Sequence, residues 1–202
     1  MKQLLFATEN RGKINEVFPF VTIPGISIIS PFDLQKKIDV EENGSKFEEN
    51  ARIKAHAYFK AFNLPTFADD SGLIIDALDG RPGVHSSRYG GKDLPFSEKS
   101  KKILEELRNV PQEKRTARFV SCILYIDSVG NDYVFTGICE GFIAHDMKGT
   151  HGFGFDPIFY LRAFKKTMAE LSLEEKNAIS HRGKALLQLK AVLLKNFSRS
   201  TF

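Results

Sequence analysis

An α/β protein built on a mixed sheet is what this sequence predicts, because strand-like and helix-like runs alternate through its first half while hairpin-like strands dominate its middle. Bulk supports the same reading: 202 residues, 42% of them hydrophobic, can bury a sizeable core, at the upper end of one domain or the lower end of two lobes. Charged residues make up 27% and are interspersed, which excludes a disordered polyelectrolyte and a repeat array.

The elements follow in order. Lys2 to Thr8 is an apolar run closing on polar residues, the pattern of a buried strand, and Gly12 to Phe20 follows as a short helix. The turn between them holds Thr8, Asn10 and Lys13. From Ser45 to Phe62 the residues Phe47, Ala51, Ala55, Tyr58 and Phe62 recur at helical spacing. That predicts an amphipathic helix with Asn50 and Lys54, one turn apart, on its partly polar flank.

Pro65 ends this helix. Two short strands, Thr66 to Ala68 and Leu73 to Ile75, then flank Asp69-Asp70-Ser71-Gly72, so both carboxylates are expected in a turn between strands. Gly80 to Gly91 is a loop rich in glycine and proline, and Ser97 to Arg108 a surface helix. Arg118 to Ile126 and Tyr133 to Ala144 are strands joined through the hairpin chemistry of Gly130-Asn131-Asp132, a pair suited to the arm of a second lobe. After a glycine-rich loop, Gly149 to Pro157, Ser172-Leu173-Glu174-Glu175 has the form of a capping box opening a short helix. A last helix from about Arg182 to Lys195 buries Leu186, Leu189 and Leu193 on one stripe, and 197–202 is expected as a frayed tail.

Composition narrows the function. A net charge of +4 and a pI near 9.0 are spread over 29 basic and 25 acidic side chains with no long basic run, which favours small phosphates over nucleic acid. The apolar run Leu4 to Ala7 is too short for a signal or a membrane span, so no membrane partner and a cytoplasmic location are expected. Cys122 and Cys139 are the only cysteines and form no Cys-x-x-Cys pair, which suggests neither a disulfide framework nor a zinc site.

Four groups could carry chemistry. Glu41-Glu42 before Gly44, and Asp69-Asp70 before Gly72, are pairs of hard oxygen ligands that suit Mg2+, which takes one or two carboxylates, waters and substrate phosphates. Solvated loop charges and a capped turn are the bland alternative. Thr8, Asn10 and Lys13 form a strand-to-helix turn able to hold an anion, and no P-loop sequence occurs anywhere; a solvated helix face is the alternative for Lys13 and Lys54. In Gly152-Phe153-Gly154-Phe155-Asp156-Pro157 a phenylalanine could stack on a flat base, an interaction worth about 1–3 kcal/mol, or both rings could plug the core. Pro157 stands where a dinucleotide fingerprint has its third glycine. Lys176, His181 and Arg182 offer donors that suit the O6 carbonyl of an oxopurine and reject the amino group of adenine.

Together these motifs resemble the inosine triphosphate pyrophosphatase family, also known as dITP/XTP pyrophosphatases. The resemblance runs from Leu4 to about Leu193 through Thr8-x-Asn10-x-x-Lys13, Glu41-x-x-Gly44 with Phe47-x-x-Asn50-Ala51-x-x-Lys54, Ala68-Asp69-Asp70-Ser71-Gly72-Leu73, Pro82-Gly83-x-x-Ser86-x-Arg88-Tyr89, Gly152-Phe153-Gly154-x-Asp156-Pro157-x-Phe159, Thr167-x-Ala169-Glu170-Leu171 and Lys176-Asn177-x-x-Ser180-His181-Arg182. It implies hydrolysis of ITP, dITP and XTP to the monophosphate and pyrophosphate, with Mg2+ as cofactor. Asp70 is implied as proton acceptor and metal ligand, and Glu41 as second ligand. Thr8, Asn10, Lys13, Lys54 and Ser71 are implied to hold the phosphates, while Phe153, Gly154, Phe155, Asp156, Lys176, His181 and Arg182 surround the base. The implied fold is an elongated α/β structure over residues 1–196, a central mixed sheet with two lobes around a cleft, usually as a homodimer. Two positions depart from the family pattern: Phe155 stands where tyrosine is frequent, which removes a hydroxyl, and Ser87 where alanine is frequent. Two other readings remain open at this point, a pyrophosphatase for pyrimidine or modified nucleotides and a non-catalytic nucleotide or nucleic-acid binder. Against the binder stand the four acidic residues of the two turns, which would repel phosphates unless a cation were bound.

Overall fold

The structure, a computed structural model, describes residues 2–34, 36 and 38–199, with side chains up to residue 195 in the last helix. Strand β1 (Lys2–Phe6) leads through helix α1 (Arg11–Phe20) to β2 (Ile26–Ile29), and α2 (Phe47–Phe62) leads to β3 (Thr66–Ile75). Helix α3 (Phe96–Glu106) precedes the long strands β4 (Thr116–Ile126) and β5 (Asp132–Ile143). Two short strands, β6 (Phe159–Leu161) and β7 (Lys166–Thr167), and two helices, α4 (Leu173–Ile179) and α5 (His181–Arg199), complete the chain.

One seven-stranded sheet carries all the strands among the described residues, in the order β2-β1-β3-β4-β5-β6-β7. β1 is parallel to both β2 and β3, the helical crossovers α1 and α2 allowing this, while β6 is antiparallel to β5 and β7. The sheet is therefore mixed, as the alternation of elements predicts.

The residues form two compact units, and the chain passes between them at four peptide bonds. The first comprises the described residues within 1–70, 121–137 and 182–199; the second comprises 71–120 and 138–181. In the first unit Leu4, Phe6, Phe67 and Ile123 pack with the stripe Leu186, Leu189 and Leu193 of α5, while Leu5, Ala7 and Leu124 pack with Ala51, Ala55 and Tyr58 of α2. Phe6 and Phe67, register partners on β1 and β3, stack at 4.5 Å. In the second unit Leu73, Ile75, Ile103, Leu107, Phe119 and Phe159 form the centre of one core.

Local chemistry fixes the element ends. The Asn10 side chain caps α1 by accepting from the Lys13 N–H, Asn63 closes α2 in the left-handed region at φ 52°, and the Ser172/Glu175 capping box opens α4. The β4–β5 hairpin is tied by Asp127, whose side chain accepts from the Val129 and Asn131 N–H groups.

One expectation is overturned. Asp69-Asp70-Ser71-Gly72 is no turn: it continues as strand from Thr66 to Ile75. Its residue types are those of a turn, but cationic partners from distant elements neutralise Asp69, so a buried carboxylate is sustained in a sheet. Asn50 and Lys54 are buried on α2, as Lys13 is on α1, so the solvated helix face weighed as the alternative for the two lysines does not form. Of the segment 197–202, residues 200–202 lie outside the described residues, and α5 carries the backbone through Arg199. Among the described residues no helix is long and apolar enough to cross a membrane.

Leu189 is fully buried where α5 closes on β1, β3 and β4. Leu189→Ala should cost about 2–5 kcal/mol in urea unfolding. A loss below about 1 kcal/mol would mean that α5 does not seal this core.

Candidate active site

The first unit gathers Thr8, Asn10, Lys13 and Lys54 of the phosphate-type residues, and Arg182 of those expected around the base. In the β1–α1 turn the Asn10 N–H donates to Thr8 Oγ1 at 3.2 Å, and Lys13, at the buried side of the first helical turn, reaches β3. Its ammonium donates to the Asp69 carbonyl at 2.8 Å and lies 3.1 Å from Asp69 Oδ2. Arg182 Nε donates to that same oxygen at 2.9 Å, and Ser121 Oγ donates to Asp69 Oδ1 at 2.7 Å. Asp69 is wholly buried, at 0% exposure. Burial by itself would raise its pKa, but Lys13, Arg182 and the Ser121 hydrogen bond prevail and hold the carboxyl well below the usual carboxylate range. Burial also pulls the Lys13 ammonium below its ordinary value, opposed by the Asp69 charge.

Asp70, the next residue, has a different environment. It is half-buried and accepts from Asn50 Nδ2 at 3.2 Å. Its pKa is raised: burial pushes it up and the Glu42 charge adds to this, against the pull of Lys13 and Lys54. Lys54 in turn pairs with Glu42 at 2.9 Å. Asn50 also binds the acidic turn, its Oδ1 accepting from the Gly44 N–H at 2.8 Å. A side chain at Gly44 would bring Cβ within 2.7 Å of Glu49 Cβ and 2.8 Å of Asn50 Oδ1, so glycine is what lets this turn approach α2.

Of the two expected metal ligands, Asp70 therefore stands among opposing charges, while Glu41 is exposed and the glutamate whose charge bears on Asp70 is Glu42. Among the described residues no group of three or more His, Cys, Asp or Glu side chains is arranged to hold a metal. Mg2+ does not require one, since one or two carboxylates suffice when waters and phosphates complete its shell. An acid with raised pKa beside a second carboxylate fits such a cation, because divalent charge relieves both the desolvation and the repulsion.

The second unit gathers the other base-type residues, Phe153, Gly154, Phe155, Asp156, Lys176 and His181, and the phosphate-type Ser71. The Phe153 N–H donates to Asp156 Oδ2 at 2.8 Å, and the Lys176 ammonium binds the same oxygen while lying 5.1 Å from the centre of the Phe153 ring. A Cβ at Gly152, whose φ is 73°, would fall 2.1 Å from Asp156 Oδ2, so only glycine lets this pair close. Phe153 stays half-buried, whereas Phe155 is sunk in the core edge-on to Phe96 at 5.2 Å. The loop thus divides the two rings between the two alternatives, one for the core and one at its edge. His181 is buried and stacks on Phe119 at 4.7 Å. Ser71 is half-buried, and Ser86 of the Pro-Gly loop holds the neighbouring strand, its Oγ accepting from the Leu73 N–H at 2.9 Å.

Sequence reasoning missed Ser121 and Glu16 as supports, and placed Asn50 on the helix beside Lys54 without assigning it a partner. Glu16 lies one helical turn after Lys13 and pairs with Arg182 at 2.5 Å, and that spacing was its only signal.

The sequence profile of the Ham1 family matches residues 4–192. The chain is similar to a dITP/XTP pyrophosphatase of Halalkalibacterium halodurans, 49% identical over 189 residues, 94% of this chain and 97% of the relative. It is similar in structure to the Ham1 protein of Staphylococcus aureus, with a TM-score of 0.86 and 42% identity over 96% of this chain and 100% of the other. A Ham1 protein from Coxiella burnetii gives a TM-score of 0.87 at 42% identity, with the same shares covered.

The state of Asp69 predicts a pH dependence of stability. Its folded pKa lies below that of an unfolded aspartate, so its contribution is complete above about pH 4 and is lost as pH falls toward the folded value. Thermal unfolding followed from pH 7 to pH 3 should show Asp69→Asn less stable than wild type at pH 7 and losing less below pH 5. An acid-side fall as steep in the variant would place the dependence in other groups.

Proposed function

The chain belongs to the Ham1 family, and from that premise we propose that it hydrolyses non-standard purine nucleoside triphosphates, dITP, ITP and XTP, to the monophosphate and pyrophosphate. Such hydrolysis keeps these nucleotides out of DNA and RNA precursor pools. The carrying observation is the contrast within β3: Asp69 is consumed by internal ion pairs, while Asp70 is left with a raised pKa among Lys13, Lys54 and Glu42.

Asp70 accepts the proton of the water that attacks the α-phosphorus, with pyrophosphate as leaving group. A carboxyl whose pKa is raised is a stronger base than an ordinary aspartate and so better matched to general-base work. Lys13 and Lys54 place ammonium charge on the phosphates, where preorganised charge is worth most in a site closed to water. Thr8, Asn10 and Ser71 donate to phosphate oxygens. Mg2+ held by Asp70 and the acidic turn, through Glu41 as the family resemblance implies or Glu42 as its bearing on Asp70 favours, would neutralise phosphate charge and lower the pKa of a water.

For the base, Phe153 stacks on the purine, and Lys176 and His181 direct donors at O6, donors that adenine would leave unpaired. Asp156 and Gly154 shape that loop, and Phe155 anchors it in the core. The family resemblance also supports a homodimer working in the cytoplasm; sedimentation at the mass of one 22.8 kDa chain would exclude the dimer.

Pyrophosphate release measured with ITP, XTP, dITP, ATP and GTP should favour the first three and stop when Mg2+ is chelated. Equal rates on all five, or full activity in chelator, would contradict the proposal. Asp70→Asn should lower kcat at least about 10²-fold with folding intact. Phe153→Ala should raise KM more than it lowers kcat, because stacking is present both before and during the reaction. The reverse pattern would count against stacking.

A further inference from the structure

Lys13 and Glu16 lie one turn apart on α1, and both side chains turn inward, at 8% and 3% exposure. Both end at Asp69. Lys13 reaches it directly, through the carbonyl at 2.8 Å and the carboxylate at 3.1 Å. Glu16 reaches it through Arg182, itself 2% exposed, whose NH1 donates to Glu16 Oε2 at 2.5 Å and whose Nε donates to Asp69 Oδ2 at 2.9 Å. The four charges alternate in sign from Glu16 to Lys13. Ions buried this deeply recover their lost hydration only through close pairing, and apolar side chains of similar volume would serve stability as well. A chain of charges is better explained by what it fixes in place.

We propose that Glu16, Arg182 and Asp69 are positioning residues that hold the Lys13 ammonium for the substrate phosphates, with Arg182 acting through Asp69 and not by reading the base. This rests on the assignment of Lys13 to the triphosphate. The geometry supplies the mechanism: Ser121 donates to Asp69 Oδ1, which orients the carboxylate, and Arg182 and Lys13 approach its Oδ2 together. Removing the Glu16 charge takes from Arg182 one of the two carboxylates that it bridges, which shifts it on Asp69 Oδ2 and loosens the lysine bound there. The expected result is weaker handling of every triphosphate, whatever its base.

A double-mutant cycle tests this. Glu16→Gln should lower kcat/KM about tenfold on ITP and by the same factor on ATP, and should cost less than about twofold when introduced into Lys13→Met. Glu16→Asp keeps the charge but withdraws the carboxylate; it should show the same pattern at smaller amplitude, and it carries the test if Glu16→Gln does not fold. Equal losses with and without Lys13 would overturn the proposal in favour of a purely structural network. A changed ITP-to-ATP ratio would overturn it in favour of base reading by Arg182. Wild-type enzyme that leaves ITP uncleaved would defeat the proposed function alone, because calorimetric binding of inorganic tripolyphosphate to the same four proteins reads the Glu16–Lys13 coupling without turnover.

Discussion

An aspartate without access to water sits in the middle of a β-strand, and the first unit is organised around keeping it charged. Asp69 is sustained by Lys13 from α1, Arg182 from α5 and Ser121 from β4. Three elements far apart in sequence are thereby tied to β3 by two ion pairs and a hydrogen bond, where most of their packing is apolar. The cost of burying these ions is offset only while all partners are present, which makes their geometry stringent. Side chains alternate along a strand, so the residue that follows Asp69 leaves this network. Asp70 instead meets Asn50, and its pKa is raised because burial, with the Glu42 charge, outweighs the pull of Lys13 and Lys54. Two identical neighbours thus acquire opposite properties from their surroundings, one structural and one available for chemistry.

The second unit repeats the logic with other residues. Asp156 and Lys176 are ionic partners inside the protein, and the Phe153 N–H shares their oxygen, so the pair sets the path of the glycine-rich loop. Gly152 is required because a side chain would occupy the place of the carboxylate. What remains at the loop's edge is the half-buried Phe153. In both units the charged residues of the motifs serve largely as supports for a few groups left with capacity to act.

Much of this was legible in the sequence, and the misses have physical causes. The periodicity of α2, the leucine stripe of α5, the Ser172 capping box and the hairpin through Gly130-Asn131-Asp132 are local signals, and the structure bears them out. Strands of four, three and two residues, β2, β6 and β7, are too short to display a period. Asp69-Asp70-Ser71-Gly72 reads as a turn because its composition is that of turns, and what overrides it comes from residues up to 113 positions away. The residue types of the site were equally legible, but their allegiances were not. No spacing rule reveals that Arg182 is committed to Asp69 and Glu16, or that Asn50 links the acidic turn to Asp70.

The division of labour between Asp69 and Asp70 is the claim on which the functional account stands. A crystal structure with Mg2+ and an α,β-imido analogue of ITP tests it most directly. The account predicts a cation on the Asp70 carboxylate, with Asp69 still bound by Lys13, Arg182 and Ser121. A cation on Asp69, with those partners displaced, would contradict it.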